Sequence, residues 1–254
     1  MAKKITLEGL NKFNLVMAAL HAVQGVAVLL LSKSFSLPIS GSYLTLNEAT
    51  QKLDPASKTM FNLSVPALLA AFFFLSATAH LIIATVYKNR YEDGLKKGIN
   101  RARWIEYSIS ASIMMVAISL LVGVYDIVSL GLIFILTCIM NLLGLVMELS
   151  NQGSRKLNWS SYWVGCLAGI APWAAIAFYF WLSSNQGSSP PSFVYWIFVS
   201  IFVFFNCFAI NMVLQYKKIG PWKNYLFGER AYIILSLVAK SLLAWQVFGG
   251  TLRP

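Results

Sequence analysis

"YIILSLVAKSLLAW", residues 232–245, is apolar apart from two serines and one lysine at its centre. Such a run belongs in a protein core or in a membrane, and an ammonium in its middle is costly in either place. The fold depends on which solvent surrounds this stretch, and the function on what compensates Lys240.

Composition decides the solvent. The chain has 254 residues, 58% hydrophobic and 11% charged, with a mean hydropathy of +0.67. A soluble globular protein carries about 25% charged residues, so the membrane class is favoured. A bilayer span needs about 20 mostly apolar residues. Seven such segments are predicted, at 14–32, 62–86, 104–123, 127–147, 160–182, 193–214 and 230–250. The expected fold is an all-α, seven-helix transmembrane bundle forming a single domain over 1–254, a multi-pass protein of the cell membrane. The basic N-terminus "MAKKITLEGLNKFN" precedes a span-length apolar stretch carrying His21 and Gln24, so no cleaved signal peptide is expected.

The net charge of +11 is explained by its placement. Lys3, Lys4 and Lys12 precede the first span. Lys88, Arg90, Lys96, Lys97, Arg101 and Arg103 lie between the second and third. Arg155 and Lys156 lie between the fourth and fifth, and Lys217, Lys218, Lys223 and Arg230 between the sixth and seventh. All of these fall on one side of a seven-span serpentine; Lys33, Lys52, Lys58 and Arg253 fall on the other. The positive-inside rule then predicts a cytoplasmic N-terminus and an extracellular C-terminus. No nucleic-acid partner is needed to account for the basic excess.

The long outer connection, 32–58, contains "SGSYLTLN", turn residues beside a short β-prone stretch. A hairpin over the outer surface or at a subunit contact and a plain ordered loop both fit it. Pro66 and Pro172 are predicted inside spans, where kinks are tolerated if neighbours satisfy the freed carbonyls. Cys138, Cys166 and Cys207 show no pairing or ligand spacing and read as small buried hydrophobes.

Ionisable residues inside spans are functional candidates by default. Here they are His21, His80, Glu106 and Lys240. At about 1.5 Å per residue, Lys240 lies roughly 15 Å below the inner interface, near the midplane. Glu106, His21 and His80 fall in the inner half of the bundle. Helical side chains lean towards the helix N-terminus, here the inner face, so Lys240 reaches down towards Glu106. Ser236, one turn earlier on the same face, offers a hydroxyl to the lysine nitrogen. A structural ion pair and satisfied bundle histidines are the plain alternatives. A metal is not expected, because two histidines and one glutamate would come from three helices with no spacing motif. Aromatic residues make up 14% of the chain and suit either lipid-facing belts or a pocket for a flat conjugated ligand. A desolvated lysine amine is also a nucleophile towards aldehydes, forming a Schiff base. In a seven-helix bundle the obvious aldehyde is retinal, and Glu106 stands where its counterion is needed.

At this point "RWIEYSIS" (103–110), "GCLAGIAPW" (165–173), "NYLFGERAYI" (224–233) and "SLVAKSLLAWQ" (236–246) resemble the heliorhodopsins, microbial-type rhodopsins of inverted topology, across nearly all of the chain. The resemblance implies all-trans retinal on Lys240 and Glu106 as the counterion. Ser236 would stand where pumping rhodopsins usually keep an aspartate. It implies a polar cluster of His21 and His80 on the inner side of the Schiff base, joined through water by Glu148, Asn14, Gln24, Arg103 and Tyr107. Met114, Met140, Trp163 and Phe205 are expected around the chromophore, with Tyr107. Outward proton pumps carry an internal donor carboxylate eleven positions after the counterion; here that position is Ala117, and the residue four after is Ser110. The resemblance therefore implies a light sensor rather than an enzyme, a homodimer in the lipid bilayer with a possible cytoplasmic signalling partner. A light-driven ion transporter or channel is the alternative. A transporter or enzyme whose Lys–Glu pair binds substrate would show no visible absorption with retinal.

Overall fold

The computed structural model describes residues 5–154, 156–185 and 190–253. Lys3, Lys4 and Arg155, three of the charges used for orientation, lie outside them. Helix α1 spans Leu7–Leu31, and the Thr6 hydroxyl accepts a hydrogen bond from the Gly9 amide at 3.0 Å. Strands β1 (Ser36–Asn47) and β2 (Lys52–Ser64) follow as an antiparallel hairpin. Next come α2 (Val65–Ala84), a short α3 (Lys88–Lys96), α4 (Arg101–Leu121) and α5 (Ile127–Ser150). Helices α6 (Ser160–Asn185), α7 (Ser192–Tyr216) and α8 (Tyr225–Val247) complete the bundle, α8 ending in a π turn at Phe248–Leu252. Among the described residues, seven of the eight α-helices are long and apolar enough to cross a membrane; α3 is the short one.

The differences from the predicted segments have local causes. The connection 32–58 is a hairpin, and it extends further than that segment, so residues 62–64 are strand rather than helix. Asn47 shapes its turn: its side-chain oxygen accepts from the Ala49 and Thr50 amides, and its amide donates to Asp54 at 2.8 Å. Pro66 therefore lies in the first turn of α2, where its missing N–H is not needed, and only Pro172 sits inside a span. The third span begins at Arg101, which places Arg103 inside the membrane helix and buried, not in a basic loop.

The helices pack serially, α1 on α2, α2 on α4, α4 on α5, α5 on α6 and α7 on α8, with α8 returning to α1. One end of the bundle carries the hairpin. It is tied down by the Ser40 amide to the Tyr125 carbonyl at 2.9 Å, and by the Lys33 amide to the Leu252 carbonyl at 2.8 Å. Asp126 caps α5 there through the Ser129 amide and hydroxyl, both at 2.9 Å, and these donors hold its carboxyl below the usual range. The other end carries α3. The core of the hairpin half is Phe72, Phe73, Ile118, Ile176, Ile197 and Leu243. A second cluster under α3 joins Leu10, Met17, Ile83, Tyr91, Leu95 and Ile233. Leucine, valine and isoleucine on the outward faces of the long helices remain exposed, as bilayer contact requires.

Candidate functional site

Helix α8 brings Ser236 and Lys240 to one face, a single turn apart. The Lys240 Nζ donates to Ser236 Oγ at 2.7 Å and to Glu106 Oε1 of α4 at 3.0 Å. All three side chains are buried, and Lys240 is the one buried lysine among the described residues. A second donor supports the carboxylate: Ser76 Oγ of α2 lies 2.6 Å from the same Oε1 and 2.9 Å from the Phe72 carbonyl, and its one hydrogen favours the shorter contact to the carboxylate. Tyr107 faces the nitrogen with its ring, 5.3 Å from Nζ, and donates its hydroxyl to the Tyr232 carbonyl.

His80 lies one turn beyond Ser76 on α2. Its Nδ1 is 2.7 Å from Asn14 Oδ1. The Asn14 amide nitrogen is committed to the Leu10 carbonyl at 3.0 Å and to the Tyr91 hydroxyl at 3.4 Å. That orientation makes Asn14 Oδ1 an acceptor, so Nδ1 of His80 carries the hydrogen and Nε2 holds the free lone pair. His21 stacks on His80 with ring centroids 5.5 Å apart and 9° between planes, and meets the Phe73 ring at 5.9 Å with a 45° tilt. Neither of its ring nitrogens has a hydrogen-bond partner among the described residues.

A second polar cluster sits closer to the α3 end. Arg103 pairs with both Glu148 of α5 and Glu229 of α8, and its guanidinium lies 4.6 and 4.0 Å from the rings of Trp104 and Tyr232, which meet edge to face. Asn100, the N-cap of α4, completes it. Its backbone amide donates to Glu148 at 2.9 Å and its side-chain amide to Glu229 at 2.8 Å; the Tyr225 hydroxyl donates to Glu148 at 3.1 Å. Every carboxylate oxygen of the pair accepts a hydrogen bond, the condition under which two buried carboxylates beside one guanidinium are tolerated. Between the two clusters lies a cavity of about 20 Å³ lined by Glu106, His80, Asn14, Tyr91 and Arg103, room for about one water. Burial pushes the Tyr91 hydroxyl above the usual tyrosine range, so it remains a neutral donor and acceptor.

On the other side of Lys240 the surroundings turn apolar. A cavity of about 50 Å³ is lined by Lys240, Ser236, Tyr107, Met114, Met140 and Phe205, with Ser110, Asn141 and Phe208 completing it. It shares Met140, Asn141, Phe205 and Phe208 with a cleft of about 250 Å³ between α5, α6 and α7, where Trp173 stacks edge-on against Phe205. Gly169 keeps this space open, since a Cβ there would lie 2.3 Å from Met140 Sδ. A buried amine with one carboxylate at the head of an elongated apolar cleft fits an apolar polyene aldehyde such as retinal, held at its reactive end by Lys240.

Most of the predicted site residues are thus brought together: Ser236, Glu106 and Tyr107 around Lys240, His80 with Asn14 and the stacked His21 on the α3 side, and Met114, Met140 and Phe205 around the apolar cavity. Two expectations are corrected. Trp163 is 66% exposed on the outward face of α6 and lines neither cavity; Trp173 is the buried tryptophan of that helix. Gln24 does not join the polar cluster, because it accepts a hydrogen bond from Trp245 Nε1 at 3.0 Å, further towards the hairpin end. Arg103 and Glu148 form their own salt-bridge cluster, and Arg103 meets Glu106, His80 and Asn14 across the water-sized cavity. Sequence reasoning missed Ser76, Asn100, Tyr91 and Glu229. The i, i+4 spacing of Ser76 to His80 was the available signal for the first.

The family model described as Heliorhodopsin matches residues 10–252. Among solved structures, the chain is similar to the crystal structure of a light-driven proton pump from Leptosphaeria maculans. The two share 17% identity with a TM-score of 0.66, over 94% of this chain and 95% of that one, a likeness of fold alone. No curated protein matches.

Proposed function

We propose how this chain, which belongs to the heliorhodopsin family and so is a retinal-binding photoreceptor of the membrane, turns light into a signal. Our reading is that light moves a proton from the Lys240 nitrogen into the polar cluster on the α3 side, without net ion transport and without turnover of a substrate. Lys240 would hold all-trans retinal at its aldehyde end, and the bound group would supply light absorption and isomerisation. In the dark Glu106 holds the positive nitrogen by charge, and Ser76 holds Glu106 in place. Were the Lys240 nitrogen to turn away from Glu106, the pair would be broken in a low-dielectric interior and the nitrogen would give up its proton. His80 is the base we assign to receive it, because it lines the same small cavity as Glu106 and its Nδ1 is fixed on Asn14, which leaves Nε2 with the lone pair. The Arg103 cluster closes the path beyond.

The observation that carries this reading is Ser236 at 2.7 Å from the Lys240 nitrogen. A hydroxyl there cannot keep a proton as a second carboxylate would, and Ala117 offers no donor further along α4. The α3 end is read as cytoplasmic, from the charge distribution, and the protein as a homodimer signalling to a cytoplasmic partner. Exposed Tyr43, Leu44, Leu46 and Phe61 give the hairpin a surface suited to a second copy.

The test adds retinal to the purified protein. A visible band should form, bleach in light and recover in the dark, and Lys240→Ala should stay colourless. Illuminated vesicles should show no steady pH change or current. A coloured Lys240→Ala would remove the attachment site, and a steady light-driven current would make the protein a transporter.

A further inference from the structure

Helix α3 is not needed to cross the membrane, yet it is not a loose connection. Its outward side exposes Arg90 and Lys96, while Tyr91 and Leu95 are buried. Leu95 is ordinary packing against the cluster of Leu10, Met17 and Ile83. Tyr91 goes further: it is the one residue of α3 that lines the small cavity containing Glu106 and His80. Its hydroxyl also meets the Asn14 amide, whose other end holds His80 Nδ1. A residue of the surface helix thus stands one amide away from His80, and one water-sized cavity away from Glu106.

Asn14 makes three contacts of unequal strength, and its bond to the Leu10 carbonyl at 3.0 Å anchors it within α1. The bond to His80 is short, 2.7 Å, whereas the Asn14–Tyr91 contact is long, 3.4 Å. A proton arriving on Nε2 makes the histidine a cation, and its Nδ1–H then donates more strongly to Asn14 Oδ1. Polarising that oxygen makes the amide hydrogens better donors, because consecutive hydrogen bonds reinforce one another. The weak member of the chain, Asn14 to Tyr91, gains most from this.

We propose that α3 is the element through which the light state leaves the bundle, with Tyr91 as the positioning residue. Charging of His80 tightens the Asn14–Tyr91 contact and draws α3 towards α1 and α2. The exposed basic face of α3 moves with it, so a surface feature changes while the long helices need not. This rests on the proton transfer to His80 proposed above.

The experiment uses the full chain loaded with retinal in lipid nanodiscs, with Cys138, Cys166 and Cys207 replaced by alanine. Spin labels at Asn89→Cys on α3 and Lys218→Cys beyond α7, both exposed positions, report their separation in the dark and after trapping under light. The expected result is a light-dependent shift in that distance in the parent. In Tyr91→Phe the ring stays packed and the hydroxyl is gone; the dark distance, band and bleaching should remain, and the shift should vanish. Tyr91→Leu, which also removes the hydroxyl while filling the site with an apolar side chain and leaves Asn14 on His80, should likewise abolish the shift and stands in should Tyr91→Phe fail to fold. A parent that bleaches without any shift, or a Tyr91→Phe protein that shifts as the parent does, overturns the proposal. A parent that forms no band overturns the photoreceptor mechanism itself, a separate outcome read before any distance is measured.

Discussion

The Lys240 ammonium is tolerated at the level of the residue because three groups converge on it or on its partner. Glu106 supplies charge, Ser236 a hydroxyl, and Ser76 holds the carboxylate at 2.6 Å. The negative charge opposite the nitrogen stabilises the dark state more than the excited state, which fixes the direction of two colour changes. Glu106→Gln should move the visible band to longer wavelength, because the positive nitrogen loses its neighbour. Ser76→Ala should move it to shorter wavelength, because a carboxylate deprived of a donor concentrates more charge towards the nitrogen. Absorption spectra of the two pigments check both signs; a shift of Ser76→Ala in the same direction as Glu106→Gln would put the counterion's support elsewhere. Lys240, Glu106 and Ser236 were legible in the sequence, because depth follows from helical rise and one turn follows from a spacing of four. Ser76 was less so, since its spacing of four puts it on the His80 face but a serine in an apolar helix carries no charge to mark it. Arg103 was misread for a related reason. A helix boundary shifted by three residues turns a buried, doubly paired guanidinium into an apparent loop charge.

For the elements, the question is how neighbouring helices approach closely enough to hold these groups. In lipid, helix contacts depend on packing and small residues rather than on hydrophobic exclusion of water. Helix α5 shows this at Gly144, where an added Cβ would lie 2.4–2.7 Å from the ring of Trp104 on α4. Trp104 in turn stacks on Arg103, so the glycine sets the seat of the salt-bridge cluster. Gly131 on the same helix has nothing within 4 Å of such a Cβ and serves as the control. Gly131→Ala should stabilise by about 0.5–1 kcal/mol through reduced chain entropy. Gly144→Ala gains the same term but should lose about 1–3 kcal/mol to overpacking, for a net loss. Thermal bleaching midpoints of the two pigments should therefore move in opposite directions. The existence of these helices could be read from hydropathy, but their rotation could not. Helix α6 is apolar all round, so nothing in its sequence chose between Trp163 and Trp173 for the pocket. α3 escaped notice because a nine-residue polar helix resembles a basic loop until Tyr91 and Leu95 are seen to be buried together.

For the whole molecule, the two ends of the bundle differ in kind. One is closed by a β-hairpin with exposed apolar and lysine side chains, the other by α3 and the basic turns around Lys97, Lys217 and Lys223. The charge asymmetry predicts that the second end faces the cytoplasm. Losing Arg103 from the loop charges, because it is buried and internally neutralised, weakens that count by one and leaves its sign unchanged. The matched fold does not decide the matter, since the same seven-helix bundle can be inserted either way round. A membrane-impermeant amine reagent applied to intact cells resolves it. With the α3 end inside, Lys52 and Lys58 on the hairpin should be modified while Lys96, Lys97 and Lys223 are protected, and opening the cells should expose the latter group. The reverse pattern would place the hairpin in the cytoplasm. It would also turn α3 away from any cytoplasmic partner, because the proton displaced from Lys240 would then be moving towards the outer surface.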